Sequence, residues 1–228
     1  MLRKFLAFIA FLFFILVMFL QFIFPTLMEN TVRTRLSDKL ATHDVVVQLS
    51  STPNIAMALG KVDSFSALSH GAKIGNVYFE EISAAGENLE IDMLSLLAHN
   101  ELVFNQAKQV EFKGVITELN LKELIKRDDK FQNVEVKITP EEILATSSFK
   151  VFGQEAQAEL SGNVIVENGA LVFKMQRLSV TNSMLGTLKL NSLFSDITLV
   201  NRGRLPFNAE FTDTRLAEGK VFIEAGRE

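Results

Sequence analysis

The sequence of 228 residues contains no cysteine and no tryptophan, and it has only three histidines and four prolines. Without cysteine the chain cannot form a disulfide, an iron–sulfur cluster or a cysteine-ligated zinc site, and it offers no thiol for catalysis or lipid attachment. The absence of disulfides does not decide the compartment, because a chain of this length can bury an adequate core without them. Apolar packing must therefore hold the fold together.

Positive charge is also scarce in most of the chain. Arg3 and Lys4 precede a long apolar run, so residues 25–228 carry the other 21 of the 23 Lys and Arg against 27 Asp and Glu, a net charge of −6. Nucleic-acid binding needs a basic surface that neutralises phosphates, and the sequence has no basic stripe with interleaved aromatic residues. We therefore expect no nucleic-acid partner.

Motifs that would support catalysis are missing. The sequence has no G-x-S-x-G, no phosphate-binding glycine loop and no H-E-x-x-H. Adjacent carboxylates in a strand point to opposite faces, which argues against an acid/base role for three acidic pairs: Glu80-Glu81, Asp128-Asp129 and Glu141-Glu142. His43, His70 and His99 are isolated in sequence, although folding could gather them into a metal site. We expect no enzyme activity, no cofactor and no metal.

The longest hydrophobic run extends from Phe5 to Phe24 and contains 20 consecutive residues, all apolar except Gln21. A helix of this length spans the hydrocarbon core of a bilayer, about 30 Å. A cleaved secretory signal would show a shorter apolar region and a small-residue cleavage site, and neither is present. The run therefore predicts an uncleaved transmembrane anchor.

The numbers of basic residues on the two sides of this anchor are nearly equal, so the count alone does not decide its orientation. Arg3 and Lys4 lie on its short side, whereas Arg33, Arg35 and Lys39 lie on its long side. Basic residues directly before an N-terminal apolar run are typical of a signal anchor, which leaves the N-terminus in the cytoplasm. We expect a single-pass protein of the cell inner (cytoplasmic) membrane, with residues 1–25 as stub and anchor and residues 26–228 exported to the extracytoplasmic or periplasmic side.

Hydrophobic periodicity divides the exported part into helices and strands. Residues 26–41 show an amphipathic stripe, and Leu121, Leu124 and Ile125 share a face of a second helix at about 117–127, which Thr117 or Asn120 can cap. Alternation of period two predicts strands, with Asn168-Gly169 as a strong hairpin signal. These strand segments are 45–53, 62–68, 74–82, 89–91, 110–116, 134–138, 143–151, 155–166, 170–180, 185–193, 207–211 and 221–223, with separators at His70-Gly71, Gly86, Gly153 and Gly219. We predict an α+β fold in which a curved antiparallel sheet wraps around one or two amphipathic helices.

The two halves of the exported part follow the same order of elements. Helix 26–41 precedes Val45-x-Val47 and Thr52-Pro53, whereas helix 117–127 precedes Val134-x-Val136 and Thr139-Pro140. Corresponding elements are offset by 91 residues (26 to 117) and by 89 residues (45 to 134). A duplicated helix-plus-strands unit is therefore one hypothesis, and chance similarity of short motifs is the other.

Apolar content supplies the candidate binding residues. Eight of the 20 phenylalanines lie in the anchor, which leaves twelve for the exported part. Such side chains suit a dry core, and they equally suit a pocket for acyl chains, since a lipid tail gains about 0.8 kcal/mol per buried CH₂ without needing hydrogen bonds. The candidate lining residues are Phe112, Leu124, Phe149, Phe152, Leu160, Val164, Phe173, Phe207 and Phe211.

Several short motifs resemble the LmeA-type family of bacterial phospholipid-binding proteins. The segments VITELNLKEL (115–124) and RLPFNAEF (204–211) carry most of the resemblance. Further matching segments are VVV (45–47), TP (52–53), LGKV (59–62), VEVKI (134–138), LSG (160–162), LSVTN (178–182) and EGKVFIEAG (218–226). The family is similar in fold to the tubular lipid-binding proteins of the bactericidal/permeability-increasing type, in which lipid tails lie between helices and a curved sheet.

The resemblance implies that the exported domain binds phospholipid or another acyl-chain lipid in a hydrophobic groove and supports lipid handling in a bacterial envelope. The expected partners are the membrane and the lipid. A ligand-free envelope scaffold or protein-interaction domain is the alternative, and an enzyme with a site assembled from distant residues is a third.

Overall fold

A computed structural model of the chain describes residues 2–99, 101–126, 132–151, 154–182, 186–189 and 196–227. It confirms the α+β class, with an N-terminal apolar helix and two antiparallel sheets. The chain forms two compact units. We call Met1–Ser69 with Ser83–Glu111 the N-terminal unit, and His70–Ile82 with Phe112–Arg227 the C-terminal unit.

Helix α1 (Leu2–Phe22) is apolar throughout most of its length, and its side chains are almost all exposed. Among the described residues, only its segment Arg3–Phe22 is a helix long and apolar enough to cross a membrane, with a mean hydropathy of 2.8. A helix of 20 residues is about 30 Å long. The sequence prediction of a spanning-length helix here is therefore confirmed in length and composition.

Helix α2 (Phe24–Leu40) follows α1 after one residue and has Pro25 as its second residue, which is compatible with the first turn of a helix. Its inward stripe contains Met28, Val32 and Leu36, all three buried. Because these residues recur every four positions, they lie on one face of the helix. The predicted amphipathic helix at 26–41 is confirmed.

The next elements along the chain are one 3₁₀ helix, five strands and one short α-helix. They are β1 (Val45–Ser50), the 3₁₀ helix Asn54–Leu59, β2 (Lys61–Ile74), β3 (Val77–Ile91), α3 (Met93–Ala98), β4 (Phe104–Gln106) and β5 (Gln109–Thr117). Strands β2, β3 and β5 each contribute residues to both units. The core of the unit contains Val45, Val47 and Leu49, which alternate with exposed residues along β1.

The C-terminal unit contains one further α-helix and eight strands among the described residues. They are α4 (Glu118–Lys126), β6 (Gln132–Ile138), β7 (Ile143–Val151), β8 (Gln154–Glu167), β9 (Ala170–Asn182), β10 (Gly186–Lys189), β11 (Ile197–Val200), β12 (Glu210–Ala217) and β13 (Lys220–Arg227), with a 3₁₀ turn at Pro206–Asn208.

Strand order is sequential over long stretches, which is typical of a meander. One sheet has the order β1-β2-β3-β5-β13-β12, with β4 paired to β3. The other has the order β10-β9-β8-β7-β6, with β11 paired to β9. The predicted hairpins at Asn168-Gly169 and Gly219 are confirmed, because β8 pairs with β9 and β12 pairs with β13 across these turns.

Two predicted strand separators are wrong. His70-Gly71 lies inside β2, and Gly86 lies inside β3. Gly71 adopts a φ of +64°, a left-handed conformation that glycine tolerates within an irregular strand. The actual turn follows Ile74, and the two strands are therefore longer than alternation predicted.

Predictions near the C-terminus need one correction. The segment 207–211 is a 3₁₀ turn followed by β12 rather than one strand, because Phe207 and Asn208 both have positive φ and reverse the backbone before Glu210. Only Gly186–Lys189 of the predicted strand 185–193 is described, and Gly153 lies outside the described residues. Strand β11 was not predicted.

Candidate functional site

Helix α4 is held at its first turn by four hydrogen bonds, one of which runs from the backbone N–H of Asn120 to Oγ1 of Thr117 at 3.4 Å. The Oδ1 atom of Asn120 accepts from the backbone N–H of Thr117 at 2.9 Å and from its hydroxyl at 2.8 Å. This arrangement resembles a capping box, with Thr117 at the cap and Asn120 three residues later. Oε1 of Glu118 also accepts from the backbone N–H of Ile138 at 2.8 Å, which ties the helix to the end of β6. The predicted cap is confirmed, with both residues taking part.

Small side chains form the centre of the sheet face that belongs to the same unit. Strand register aligns Val136 with Ala145, Ala145 with Leu160, and Leu160 with Leu178, a row that crosses four strands. In the next row along β7 and β8, Ser147 pairs with Ala158. Because Ala145, Ser147 and Ala158 are short, they leave space above the sheet where larger residues would fill it.

A β-bulge decides which residues of β9 share this face. The register shifts so that Ser161 pairs with Arg177 whereas Gly162 pairs with Met175, which leaves one extra residue on β9. Without the bulge, strict alternation after Met175 would place Arg177 on the same face. With the bulge, Leu178 takes that place, and the Arg177 side chain bonds Glu142 at 3.3 Å and Ser161. The bulge therefore keeps a cation out of the apolar face.

Glycine is required at one position beside the bulge. A Cβ on Gly162 would lie 2.3 Å from the carbonyl oxygen of Lys174 and 2.8 Å from the Phe173 ring. Any larger residue would displace either the β9 backbone or this ring. Gly162 therefore leaves room for the Phe173 ring beside the β8 backbone.

Strand β11 and the β2–β3 turn complete the boundary of the site. The carbonyl of Leu199 accepts from the N–H of Asn76 at 3.3 Å, and the Asp196 carboxylate accepts from the N–H of Met175 at 3.1 Å. These bonds attach both segments to residues of the C-terminal unit. Polar groups at the margin of the site are therefore hydrogen-bonded to other groups of the protein.

Together these elements enclose a cavity of about 640 Å³ in the C-terminal unit, which we call the α4 cavity. Its volume lies within the range of about 300–1,000 Å³ that is common for small-molecule sites. No described lining residue carries a charge. The lining residues are Asn76, Leu121, Leu124, Ile125, Val136, Ile143, Ala145, Thr146, Ser147, Ala158, Leu160, Phe173, Met175, Leu178, Ile197, Thr198 and Leu199.

Three of the residues predicted to bind lipid line the α4 cavity: Leu124, Leu160 and Phe173. Val164 belongs to the same alternating set of β8 but is buried, and it pairs with Phe173 without lining the cavity. Phe149 is half-buried and follows Ser147 by two residues on β7, also outside the lining. Alternation along each strand therefore placed these four strand residues on a common face, but it did not locate the opening of the cavity.

The remaining predicted residues lie elsewhere. Phe112 and Phe211 are buried beside a space of about 10 Å³, which is about one water in size and too small for an acyl chain. The rings of Phe112 and Phe207 lie 6.0 Å apart in a tilted arrangement that favours packing. Phe152 lies outside the described residues.

The short residues that make the cavity were not predicted from the sequence. Leu121 and Ile125 were predicted to lie on the inner face of the helix but not to belong to the site. Ala145, Ser147 and Ala158 carry no bulk that marks them as lining. Their signal is the recurrence of small residues at alternate positions of adjacent strands, and it becomes visible only when the register is known.

The titratable residues that the structure describes do not line the cavity. Among the residues that the structure covers, no group of three or more His, Asp or Glu side chains could hold a metal ion. In the N-terminal unit, hydrogen bonds from the Ser95 backbone N–H and hydroxyl hold the pKa of the Asp92 carboxyl below its usual range. The described lining residues of the site are therefore mostly apolar, and none of them is charged.

The fold and the α4 cavity define an α+β protein with an uncharged pocket of ligand size. The model of the LmeA-like phospholipid-binding family matches residues 20–226, and the chain belongs to this family. The sequence-based resemblance is thereby confirmed, and membership supports lipid binding. No curated protein and no solved structure gave a match.

Proposed function

We propose that this chain is a membrane-anchored, extracytoplasmic protein that binds the acyl chains of a phospholipid in the α4 cavity. The observation that carries the proposal is the uncharged lining of a 640 Å³ space between α4 and small residues of the sheet. An acyl chain requires no hydrogen bonds, and the cavity supplies few. The headgroup remains in water outside the lining.

The free energy gained by burying an acyl chain is large enough to drive binding. Ten methylene groups removed from water contribute about 8 kcal/mol before ordering costs, which is comparable to the free energy of a micromolar complex. The membership of the family adds independent support for phospholipid as the ligand. Our proposed site therefore retains Leu124, Leu160 and Phe173 and adds Leu121 and Ile125.

The anchor and its sidedness are supported by the N-terminal segment. Helix α1 has spanning length and exposed apolar side chains, and Arg3 and Lys4 precede its apolar run. A tether of this kind raises the effective concentration of the binding unit near the lipid surface. Placement at the outer leaflet of the cytoplasmic membrane would give the cavity constant access to its ligand.

Native mass spectrometry of the full chain, released from detergent micelles, tests the proposal. We expect adducts with the masses of phospholipids from the expression host. We further expect Ala158→Phe to remove these adducts, because the ring would occupy the space above Ala158. Ala170→Phe is the matched control, since Ala170 is half-buried at the start of β9 and does not line the cavity.

Two outcomes would contradict the proposal. A clean apo mass, with no lipid uptake from added phospholipid vesicles, would indicate that the cavity is not a lipid site. Equal lipid content in Ala158→Phe and Ala170→Phe would indicate that lipid binds outside the α4 cavity. A normal circular dichroism spectrum is required of both variants before their lipid contents are compared.

A further inference from the structure

A second apolar surface lies in the N-terminal unit, which contributes no described residue to the lining of the α4 cavity. Leu59 ends the 3₁₀ helix and is 78% exposed, and Leu94 begins the exposed side of α3 and is 73% exposed. These values exceed those of the apolar residues along α1. Single exposed leucines are ordinary, but two close together at such exposure call for a physical explanation.

The two leucines belong to adjacent turns. The carbonyl of Gly60 accepts from the N–H of Ile91 at 2.7 Å, so the residue after Leu59 is bonded to the strand that leads into α3. A Cβ placed on Gly60 would lie 3.3 Å from Cγ of Met93, the residue before Leu94. Leu59 and Leu94 therefore each follow or precede a residue of this contact, and we call the surface that they form the leucine surface.

The leucine surface is connected to the end of the apolar helix. The Nδ2 atom of Asn54 donates to the carbonyl of Gln21 at 3.1 Å, which attaches the start of the 3₁₀ helix to the last turn of α1. A 3₁₀ helix of six residues is about 12 Å long, so Leu59 lies within about that distance of the attachment. Where α1 crosses a bilayer, this attachment lies at the level of the headgroups.

We infer that the leucine surface inserts into the outer face of the bilayer, with Leu59 and Leu94 reaching the boundary between headgroups and acyl chains. This inference rests on the anchor in our proposed function, and it adds a second membrane contact that α1 alone does not require. Lys61 is exposed next to this surface and suits anionic headgroups, whereas the nearby Asp92 carboxylate is engaged in capping α3. Surface insertion of apolar side chains reaches about 5–10 Å into the bilayer.

The absence of cysteine makes a direct test possible, because each introduced cysteine gives one labelling site. The full chain is reconstituted in vesicles of equal parts phosphatidylcholine and phosphatidylglycerol, with Leu59→Cys or Leu94→Cys carrying an environment-sensitive fluorophore. We expect blue-shifted emission that is quenched by lipids with a nitroxide near the glycerol end of the acyl chain. Iodide in the buffer should quench these two probes weakly.

Val46→Cys provides the matched control. Val46 is an apolar residue of the same unit and is 53% exposed, but it lies near the start of β1, just after the turn that follows the far end of α2. A helix of 17 residues is about 25 Å long, which separates this position from the end of α1. Its probe should emit as in water and be quenched by iodide.

The result that overturns the inference is a set of three probes that all emit as in water. Extraction with alkaline carbonate distinguishes this failure from a failure of the proposed anchor. A chain that stays with the vesicles while both leucine probes remain in water contradicts the leucine surface alone. A chain released from the vesicles contradicts the anchor and the inference together, whereas lipid adducts in native mass spectra report on the α4 cavity separately.

Discussion

The first helix–strand pair of the N-terminal unit and that of the C-terminal unit share one uncommon hydrogen bond. Oε1 of Glu29 in α2 accepts from the backbone N–H of Leu49 at the end of β1, at 2.9 Å. Oε1 of Glu118 in α4 accepts from the N–H of Ile138 at the end of β6, at 2.8 Å. In both pairs the partners are 20 residues apart, and the pairs themselves are offset by 89 residues (29 to 118). This offset equals the one between Val45 and Val134, which supports the duplication hypothesis.

The two pairs differ in how their inner faces are filled. With an offset of 89 residues, Val32 and Leu36 of α2 correspond to Leu121 and Ile125 of α4. Val32 and Leu36 are both buried, whereas Ile125 is half-buried and lines the α4 cavity with Leu121. The same helix–strand arrangement can therefore contain a packed helix in one unit and a helix that borders the α4 cavity in the other.

The largest effect should come from truncating the inner faces of the two helices. Leu36→Ala removes buried methyl groups and is expected to lower the free energy of unfolding of its unit by about 2–5 kcal/mol. Ile125→Ala should cost about 1 kcal/mol in the lipid-free chain, because its side chain already borders empty space and loses fewer contacts. Hydrogen exchange followed by mass spectrometry measures the local free energy in each unit separately.

Removing the shared hydrogen bond should have the next largest effect. Glu118→Ala leaves the N–H of the buried residue Ile138 without its acceptor, and we expect a loss of about 1–3 kcal/mol of stability. Glu29→Ala should cost a similar amount through Leu49. Amide exchange at Ile138 and Leu49 is the measurement.

Glu123→Ala is the control for this pair, because Glu123 is exposed on α4 and surface substitutions usually stay within about 0.5 kcal/mol. If only one of the two glutamates proved important, the equivalence of the helix–strand pairs would be lost.

The affinity of the α4 cavity for lipid should depend on the length of the acyl chain. Each methylene removed from a bound chain should weaken binding by about 0.8 kcal/mol, close to fourfold, until the cavity is no longer filled. Fluorescence competition with phosphatidylcholines of graded chain length measures this slope. Exchange of the headgroup for phosphatidylglycerol serves as the control, and a strong dependence on headgroup or salt would contradict an uncharged site.

The smallest effect should be an acid response at the first turn of α3, in the N-terminal unit. Hydrogen bonds from Ser95 lower the pKa of Asp92 in the folded state, so the carboxylate favours folding above its unfolded pKa of about 3.9. This contribution is lost as the pH falls through the lower, folded pKa. Helix α4, by contrast, is capped by the uncharged Thr117 and Asn120.

Nuclear magnetic resonance titration of the Asp92 carboxyl carbon, together with the amide of Ser95, tests the acid response. Asp92→Asn should keep the cap but remove the titration. A midpoint at or above that of an unstructured aspartate would contradict the proposed cause.

Most helices and strands could be predicted, because their signals are local. The stripe of Met28, Val32 and Leu36 and the apolar run of α1 each determine a helix from residues within a few turns. Asn168-Gly169 determined a hairpin for the same reason. The failures at Gly71 and Phe207 both occurred at residues with positive φ. The strand continues through Gly71, whereas the backbone reverses at Phe207 and Asn208, and the residue type alone does not predict which of these happens.

The candidate site was less predictable than the fold. Bulky residues such as Phe112 and Phe211 attract attention in a sequence, yet they lie beside a space that holds about one water. The α4 cavity depends instead on small residues that occupy the same area in adjacent strands. A pocket is defined by what its walls leave unfilled, which hydrophobicity along the chain does not report.

The sequence by itself determined the apolar helix, the amphipathic faces of α2 and α4, the alternating strands and the family of this protein, because each depends on residues close together in the chain. Only the tertiary structure decided that a bulge between Met175 and Arg177 places Leu178 on the cavity face, and that Ala145 and Ala158 lie beneath α4 as its floor. The physical reason is register, since pairing between strands sets which side chains share a face, and a shift of one residue exchanges them.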